Sequence, residues 1–371
     1  MRIVVFSWKD IYHDFAGGSE VNIHEQAKRW AARGHRVTMV TSRPKGSLFR
    51  DSIDGVDIYR AGGRFTVYLF APLVYLALLR KQTDVILDII NGIPFFTPIF
   101  SRKPKVGLIH HVHQDMFLVE LGQVLGRFGK SVERFVVPLL YRDVPIICVS
   151  QSTAQCVEDV FYRGERIDVT VIHNGIDQSF YSMDGYRKFD KPTVLYLGRL
   201  KKYKRLPKLI SLITEARKKV PDAELLIVGV GDAIGEAEEE IRRLGADEFV
   251  HMLGYVSDDE KARLYRQAWV TATASMVEGW GLTVIEANAC GTPSLAFNVP
   301  GLNESIVHGS TGMLASDDNE FVRYLVDVLQ NQDLRGELSQ ECQNWSRTFS
   351  WDETAEKTLR MFERVTDNYS P

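Results

Sequence analysis

Two glutamates bracket the segment whose residue types offer the most chemistry. They are Glu278 and Glu286, and Gly279 and Gly281 stand between them, before an apolar run that predicts a helix from Leu282. Glycine lets backbone approach a ligand closely, and the first N–H groups of a helix are unpaired at the positive end of its dipole. We therefore expect this first turn to bind a phosphate. The carboxylates would accept hydrogen bonds from ligand hydroxyls, although two glutamates alone would also suit a solvated helix surface.

A basic cluster, Gly198 to Arg205, follows directly after a predicted strand, Thr193–Leu197. Loops at the carboxyl ends of strands hold the ligand groups in open α/β sheets. Arg199 and Lys204 in this loop would grip a diphosphate and neutralise the charge that builds on it as it leaves. Taken alone, the cluster is equally compatible with a solvated basic turn.

Three histidines, His110, His111 and His113, follow the predicted strand Val106–Ile109. Alternation along an extended chain places His110 and His111 on opposite sides, and no nearby carboxylate completes a tetrahedral metal site. We expect one ring to face a ligand as a polar contact, rather than a zinc site. Packed, hydrogen-bonded histidines are the alternative.

Two further glycine loops are less specific. Gly17-Gly18 follows the first predicted strand and Gly229-Val230-Gly231 follows a later one, but neither completes a GxGxxG fingerprint, so both also suit a plain tight turn. The sequence has no GxxxxGK[ST] loop, no GxSxG elbow and no predicted strand that ends in DxD. The missing DxD argues against a metal-held nucleotide, and we expect neither a metal nor a cofactor.

The elements that position these residues alternate between strand and helix in both halves of the chain. In the first half the predicted elements are strands Ile3–Ser7, Arg36–Thr41, Val85–Ile90, Val106–Ile109 and Ile146–Val149, with a helix from about Glu20 to Ala32. After a polar stretch, Asp177–Lys191, they are strands Thr193–Leu197, Glu224–Val228, Phe249–Leu253, Trp269–Ala272 and Ser294–Phe297, and helices Leu206–Lys218, Glu236–Arg243, Asp258–Gln267 and Leu282–Ala289. Such alternation predicts parallel sheets covered by helices on both faces.

The length of the chain, 371 residues, exceeds what one hydrophobic core usually serves. We predict an α/β fold of two Rossmann-like, doubly wound domains that face a central cleft, with residues 1–185 in the first and 186–350 in the second. Residues 351–371 are expected to form a C-terminal helix that packs back on the first domain. Ligands of such sheets bind at the carboxyl ends of the strands.

Composition excludes several classes of protein. The net charge of −3 gives no general attraction to nucleic acid, and four widely spaced cysteines fit a reducing cytosol. The longest apolar stretch, Phe65 to Leu79, is shorter than the ~20 residues that a transmembrane helix needs. We expect it to be a buried helix in a cytoplasmic protein, and peripheral contact with a membrane is the other interpretation.

Together, the motifs resemble family 4 of the retaining glycosyltransferases, enzymes of the GT-B fold. The resemblance covers nearly the whole chain, and the paired glutamates with the tail that follows them are its most specific part. The matching segments, in order, are Gly17-Gly18, Gly34-His35-Arg36-Val37, His110, Val149-Ser150, Asn174-Gly175-Ile176-Asp177, Gly198-Arg199 with Lys204, Gly254-Tyr255-Val256, and Glu278 to Glu286 followed by Ala289-Cys290-Gly291-Thr292-Pro293.

The resemblance implies a role for each matching residue. Arg199 and Lys204 would bind the donor diphosphate, Glu278 would hold hydroxyls of the transferred sugar, and Glu286 would hold those of the nucleotide ribose. The implied catalytic residues are His110, Arg199, Lys204 and Glu278, with His110 beside the anomeric centre on the acceptor side. The implied donor-binding residues are Gly17, Gly18, Arg199, Lys204, Tyr255, Val256, Glu278, Gly279, Trp280, Gly281, Leu282, Thr283 and Glu286.

Two positions depart from the family pattern. Arg205 stands where glycine is usual, and Trp280 stands where phenylalanine is common, so either could reshape the donor pocket. His111 and His113 have no fixed counterpart, and their roles stay open. Acceptor specificity is expected in N-terminal loops such as Lys9–Phe15 and Met116–Lys130.

The implied reaction moves a hexose-type sugar from a nucleotide diphosphate to a hydroxyl of a glycan, lipid-linked or small-molecule acceptor and forms an α-glycoside. Front-face substitution would let the leaving phosphate take the acceptor's proton, so no side-chain base is needed.

The alternatives to this function are a GT-B-fold nucleotide-sugar epimerase and a non-catalytic subunit that binds a sugar nucleotide. The basic residues Arg127, Lys130 and Arg134 leave room for a lipid-linked acceptor, but we prefer an amphipathic helix packed on its own domain. The donor base, the sugar and the oligomeric state also stay open.

Overall fold

The computed structural model describes residues 1–14, 16–162, 167–182 and 186–369. These fold as two compact units, one formed by Met1–Gly175 with Trp351–Pro371 and the other by Ile176–Ser350. Phe15, at the end of one expected acceptor loop, lies outside the described residues. So does residue 185, where the sequence predicts the first domain to end.

The first unit contains a sheet of eight strands in the order β3-β4-β2-β1-β5-β6-β7-β8. All neighbouring strands are parallel except β3 and β4, which form an antiparallel hairpin. The strands are β1 (Arg2–Phe6), β2 (Arg36–Thr41), β3 (Arg50–Ile53), β4 (Val56–Arg60), β5 (Val85–Ile89), β6 (Lys105–Ile109), β7 (Ile146–Cys148) and β8 (Val169–Val171). The five predicted strands are confirmed, with ends that differ by at most one residue.

The second unit contains a fully parallel sheet of six strands in the order β11-β10-β9-β12-β13-β14. Its strands are β9 (Thr193–Leu197), β10 (Glu224–Val228), β11 (Val250–Gly254), β12 (Val270–Thr273), β13 (Ser294–Phe297) and β14 (Gly312–Ala315). Both sheets have a crossover near the first strand of the unit, at β1 and at β9, as doubly wound sheets do. The prediction of two Rossmann-like α/β folds is confirmed.

Helices connect the strands of both units. In the first unit they are α1 (Gly18–Ala32), α2 (Val67–Val74), α3 (Thr97–Phe100), α4 (Met116–Ser131), α5 (Val137–Tyr141) and α6 (Gln151–Val157). In the second unit they are α7 (Leu206–Ala216), α8 (Ile234–Leu244), α9 (Asp258–Gln267), α10 (Leu282–Ala289), α11 (Leu302–Ser305), α12 (Asp318–Gln330) and α13 (Gln332–Ser346), and the final helix, α14 (Trp351–Asp367), returns to the first unit.

The last helix covers the first one. The indole N–H of Trp30 in α1 donates to the carbonyl of Ala355 in α14 at 3.0 Å, and its ring meets Phe362 edge to face at 5.2 Å. The hydroxyl of Thr358 donates to the side chain of Gln26 at 2.6 Å. Because Trp30 and Phe362 are fully buried, α14 is part of the core of the first unit.

The opposite face of the same sheet carries α2, α3 and the α4–α5 segment. Connections from β4 to β5, β5 to β6 and β6 to β7 all run in one direction across the sheet, and right-handed crossovers place their helices on one face. Val67 and Tyr75 from this layer pack with Val4 and Phe6 of β1. This layer therefore has a buried inner side against the sheet and an outer side of its own.

Two predictions for this layer are wrong. The Phe65–Leu79 stretch is not a buried helix, because α2 and the π-helical turn after it, Tyr75–Leu79, bury only the side that faces the sheet. Met116–Lys130 is a helix, kinked at Gly122, rather than a loop. The amphipathic helix preferred for the stretch with Arg127, Lys130 and Arg134 is present, since Arg127 and Arg134 are exposed while Gly129, Val132 and Glu133 are buried.

Candidate active site

An ion pair joins the two segments that the sequence marks as ligand-binding in the second unit. The ammonium of Lys204, in the 3₁₀ turn after β9, donates to Oε1 of Glu278, in the loop after β12. Both side chains are about five-sixths buried, at 15% and 16% exposure. Burial alone lowers the pKa of Lys204, but the carboxylate of Glu278 raises it more, so the pKa lies above its ordinary value. The lysine is therefore a fixed positive charge at neutral pH.

Glycines bring the backbone of this loop close to its neighbours. A side chain at Gly301 would collide with the carbonyl of Glu278, whose N–H donates to Pro300 at 3.1 Å. Gly281 has a φ of +84°, a left-handed conformation, and a side chain there would press on Ser305. The glycines therefore position Glu278 and the start of α10 through packing as well as through backbone freedom.

The N-terminus of α10 presents unpaired donors. Gly281 caps the helix without a side chain, and its carbonyl accepts from Val284 at 2.9 Å. The N–H groups of Leu282 and Thr283 have no acceptor among the described residues, and both residues are half-buried. Such a helix end is suited to an anion because its N–H groups and its dipole both favour negative charge.

Arg199 adds a second cation at the carboxyl end of β9. Its guanidinium is half-buried and has no ion-pair partner within the described part of the chain. The loop that carries it packs tightly on the next one, since side chains at Gly229 and Gly231 would collide with the carbonyls of Gly198 and Leu200. The Gly229-Val230-Gly231 sequence therefore serves close packing of two loops.

Glu286 is more enclosed than its predicted role implies. Its carboxylate is buried and accepts hydrogen bonds from the hydroxyls of Tyr181 and Tyr265, each at 3.0 Å. The ammonium of Lys261 lies 3.4 Å from the same carboxylate. Burial lowers the pKa of Lys261, yet Glu286 and Asp258 raise it more, so Lys261 is charged. A hydroxyl donor would have to share this carboxylate with three partners.

The remaining predicted donor residues differ in exposure. Tyr255 and Val256 follow β11, and the Tyr255 ring is 81% exposed. Trp280 is buried and meets Phe349 edge to face at 5.2 Å, so the ring that replaces the usual phenylalanine is a core side chain. Gly279, next to it, is half-buried.

Arg205 adopts a conformation that explains why glycine is usual at this position. Its φ of +51° lies in the left-handed region, which costs a residue with a side chain about 1 kcal/mol or more. The guanidinium compensates, because Nε donates to the carbonyl of Ala274 at 2.6 Å and the group lies 5.1 Å from the ring of Phe297. Arg205 thus ties the start of α7 to the end of β12 and does not point at the predicted anion site.

In the first unit, His110 is buried at the end of β6. Its Nδ1 lies 3.1 Å from Oδ1 of Asn91, an acceptor, so Nδ1 carries the ring proton. Nε2 is buried and has no partner among the described residues. Burial is the main cause that lowers the pKa of His110 to about 3, and the nearby ammonium of Lys9 lowers it further. The ring is therefore neutral and presents an unoccupied acceptor nitrogen.

The Gly17-Gly18 loop contains a buried charge pair that the sequence analysis missed. The N–H of Gly17 donates to Oε2 of Glu20 at 2.7 Å, and the ammonium of Lys9 lies 3.2 Å from the same oxygen. Lys9 and Glu20 are almost fully buried, at 2% and 1% exposure. The N–H of Gly17 is thus already bonded to Glu20, whereas the N–H of Gly18 has no acceptor among the described residues. No spacing rule signals this pair.

His111 and His113 face each other, with ring centroids 4.0 Å apart. The backbone N–H groups of His113 and Gln114 donate to the carboxylate of Glu133 at 2.8 and 2.7 Å. This buried glutamate therefore holds the loop after β6 in place. Within residues 1–14, 16–162, 167–182 and 186–369, no group of His, Cys, Asp or Glu is arranged to hold a metal ion.

Comparison with known proteins gives the site a family. Residues 183–345 match the family described as glycosyl transferases group 1, and residues 16–180 match glycosyltransferase family 4. Phosphatidyl-myo-inositol mannosyltransferase of Mycobacterium tuberculosis is 26% identical, over 95% of this chain and 94% of that protein.

Solved structures share the fold. Sucrose-phosphate synthase from Thermosynechococcus elongatus has a TM-score of 0.84 at 18% identity, and covers 99% of this chain and 100% of its own. HepE from Anabaena, solved with UDP and glucose, has a TM-score of 0.76 at 19% identity, and covers 98% of this chain and 100% of its own. Since residues 183–345 match the group 1 glycosyl transferases, residues 16–180 match glycosyltransferase family 4 and both units share the GT-B fold of the solved structures, this chain is a glycosyltransferase.

Proposed function

We propose that this glycosyltransferase moves a hexose-type sugar from a nucleotide diphosphate sugar to an acceptor hydroxyl with retention, forming an α-glycoside. The observation that carries the proposal is the Lys204–Glu278 ion pair, with the unpaired guanidinium of Arg199 in the same loop as Lys204 and the open N-terminus of α10 shortly after Glu278. A diphosphate requires positive charge and N–H donors, and a sugar requires a carboxylate. The UDP held by HepE, of the same fold, is consistent with such a donor.

In the donor complex, the diphosphate would replace Glu278 as the anion that pairs with the ammonium of Lys204. In this proposal Arg199, Lys204 and the N–H groups of Leu282 and Thr283 bind the phosphates, and Glu278 turns to hydroxyls of the sugar. As the bond to phosphate breaks, negative charge grows on the leaving oxygen, and the fixed cations stabilise it. Two cations and a helix end supply this stabilisation, so we propose a metal-independent reaction.

Retention would follow from substitution on one face of the sugar. The leaving phosphate's own oxygen takes the acceptor's proton, so the protein needs to supply charge and position rather than a base. His110 suits a positioning role, because its neutral ring has an acceptor nitrogen for a hydroxyl and no proton to lose at that atom. Glu286, Tyr255 and Val256 are assigned to the nucleoside.

The acceptor is proposed only by class, as a carbohydrate, a lipid-linked sugar or a small molecule with a hydroxyl. The mannosyltransferase relative is named for a phosphatidyl inositol, which makes a lipid-linked acceptor the first class to test. We propose a cytoplasmic location, since all four cysteines are free thiols.

The test is a panel of UDP-, GDP- and ADP-sugars incubated with the full chain, with and without EDTA, while free nucleotide diphosphate is measured. We expect release from one donor and no effect of EDTA. Arg199→Ala should lower turnover on the order of a hundredfold, the equivalent of a few kcal/mol of barrier. The guanidinium is unpaired, so its loss should leave the fold stable. Lys204→Ala should lower turnover similarly, although this change also leaves the carboxylate of Glu278 without its ion-pair partner.

Lys202→Ala is the matched control. Lys202 lies in the same 3₁₀ turn as Lys204, but its ammonium is half-exposed and pairs with Glu236 at 3.0 Å. Turnover in this variant should match the unmodified chain. Full activity in both Arg199→Ala and Lys204→Ala would overturn the diphosphate assignment. Interconversion of donor sugars without an acceptor would favour the epimerase, and donor binding without turnover would favour a binding subunit.

A further inference from the structure

The outer side of α2 exposes more apolar surface than a solvent-facing helix normally does. Together with the residues on either side of α2 we call it the apolar helix face: Leu69, Phe70 and Leu73 of α2, Phe65 before it, and Leu76 and Leu78 of the π-helical turn after it, all 41–65% exposed. The inner side of the same segment is buried on the sheet through Val67, Ala71, Val74, Tyr75 and Leu79. Contiguous exposed apolar side chains of this size mark an interaction surface rather than ordinary scatter.

The neighbouring elements continue this surface. Phe100 of α3 packs on Tyr75 at 5.6 Å, which places α3 beside the segment that carries the apolar helix face, and Ile99 of α3 is 68% exposed. Asp88 accepts hydrogen bonds from Thr97 of α3 and from Tyr141 of α5, so α3 and α5 lie close together. The exposed apolar side chains of the α4–α5 segment are Val119, Val124, Leu125, Phe128, Phe135 and Leu139.

The charges around this surface are mainly basic. From Arg64 to Lys81 the sequence has no Asp or Glu, and it has basic residues at both ends of the stretch: Arg64, Arg80 and Lys81, all exposed. Along α4 and α5, Arg127 and Arg134 are exposed, whereas Glu133 faces inward and is buried. The exposed Asp115 at the start of α4 is paired with Lys130 at 2.5 Å, and Glu120 is half-buried. The surface therefore combines an apolar centre with a basic margin.

We propose that the outer side of the α2, α3 and α4–α5 layer binds the surface of a bilayer that contains anionic lipids. Leucine and phenylalanine enter the boundary between headgroups and acyl chains, while arginine and lysine beside them attract anionic headgroups. Within the described residues no helix is both long enough and apolar enough to span a bilayer. A second copy of the chain is a poorer occupant, because a symmetric contact would bring two basic margins together.

The experiment is sedimentation of the full chain with vesicles of phosphatidylcholine, alone or mixed with phosphatidylglycerol. We expect binding to the mixed vesicles that weakens with salt. Leu69→Ser with Phe70→Ser should weaken the partition constant roughly tenfold or more, because two large apolar side chains no longer leave water. Arg80→Gln with Lys81→Gln should weaken it on the order of tenfold on mixed vesicles only. The readout needs no donor, so it is independent of the proposed reaction.

The chain offers a matched control for the first variant. Leu48 and Phe49 are also adjacent, and they are 65% and 41% exposed, against 63% and 44% for Leu69 and Phe70, but they precede the edge strand β3. Leu48→Ser with Phe49→Ser should bind vesicles like the unmodified chain, and circular dichroism checks that all variants fold. For the charge variant the control is Lys218→Gln with Lys219→Gln.

Three outcomes would overturn the proposal. They are no binding to either kind of vesicle, equal loss in the Leu48/Phe49 and Leu69/Phe70 variants, and a dimer in solution that only the Leu69/Phe70 variant abolishes. The last outcome would make the apolar helix face a self-association surface instead.

Discussion

His110 links the chemistry of a single side chain to the stability of the fold. Burial lowers its pKa to about 3, whereas an imidazole in an unfolded chain has a pKa of about 6.5. Below the unfolded value the unfolded chain binds a proton that the native chain does not, so the free energy of unfolding falls as the pH drops. In the native protein the ring stays neutral throughout the range in which most enzymes work.

His110→Gln should therefore be less sensitive to acid than the unmodified chain. Between pH 7 and pH 5 the titration of His110 costs the unmodified chain about 2 kcal/mol of unfolding free energy, and the variant lacks this loss. Urea titrations of both proteins at the two pH values measure the difference. Equal losses in the two proteins would mean that the native ring takes up its proton near the pKa of free imidazole.

Arg205 gives a prediction that separates backbone from side-chain effects. Arg205→Ala removes the hydrogen bond to Ala274 and keeps a strained φ, whereas Arg205→Gly removes the same bond and relieves the strain. We expect the glycine variant to be the more stable of the two by about 1 kcal/mol, by urea unfolding. Equal stabilities would show that the left-handed conformation is not kept in the variants.

At this scale, sequence patterns located residues but not their partners. The glycine and helix context pointed to Glu278, and the loop after a strand pointed to Lys204, yet the two are 74 positions apart and no spacing predicts that they pair. Loop conformation decides such pairs. The same holds for Lys9 with Glu20 and for the two tyrosines that enclose Glu286.

At the scale of elements, the first residue of α1 offers a clean test of phosphate approach. A methyl group at Gly18 would meet nothing within 4 Å, so Gly18→Ala should not strain the fold and should gain up to about 1 kcal/mol of helix stability. If the donor phosphate approaches its N–H, as we propose, the KM for the donor should rise severalfold although the fold is no less stable. Steady-state kinetics and thermal unfolding measure the two effects.

Gly336→Ala is the control for this change. Gly336 lies inside α13, and a methyl group there also meets nothing within 4 Å. It should raise stability similarly and leave the donor KM unchanged. A donor KM that is also unchanged in Gly18→Ala would remove the Gly18 N–H from the diphosphate site.

Periodicity predicted the buried strands well, because a parallel strand covered on both faces is a continuous apolar run. The predicted bounds are those of the structure for three strands of the second unit, β9, β10 and β13, and for two of its helices, α9 and α10. The hairpin β3–β4 was missed although Asp54 and Gly55, with φ of +48° and +79°, are a typical hairpin turn pair. The exposure of α2 was missed because a continuous apolar run does not reveal whether the side of the helix that faces away from the sheet is covered by other elements.

At the scale of the whole molecule, the two units should respond separately to core damage. Phe362→Ala removes a fully buried ring from the contact between α14 and α1, which typically costs about 3–5 kcal/mol. We expect native-state hydrogen exchange to lose protection in β1, β5 and β6 and to keep it in the second unit. Mass spectrometry of peptides from each unit measures this.

Phe321→Ala provides the reciprocal variant. Phe321 is fully buried in the second unit, with its ring 5.0 Å from Phe297. Its loss should reduce protection in the strands of the second unit and leave the first unit protected. Uniform loss over the whole chain in both variants would show that the units unfold as one.

The fold as a whole was predictable because both sheets are built from repeated strand–helix pairs, and each pair shows its own hydrophobic pattern in the sequence. The division between units was harder to place. The sequence predicts the first domain to end at residue 185, whereas the compact unit ends at Gly175, because a polar stretch marks a change of pattern and not where the chain leaves one core.

The return of α14 to the first unit also sets an order of events during synthesis. A chain emerges from the ribosome N-terminus first, so α1 leaves the tunnel long before the helix that covers Trp30 has been made. Ile176–Ser350 can complete its core while the earlier unit still lacks its last helix. The domain that is translated first is therefore finished last, and a released chain truncated before Trp351 would contain one complete domain and one that is still open.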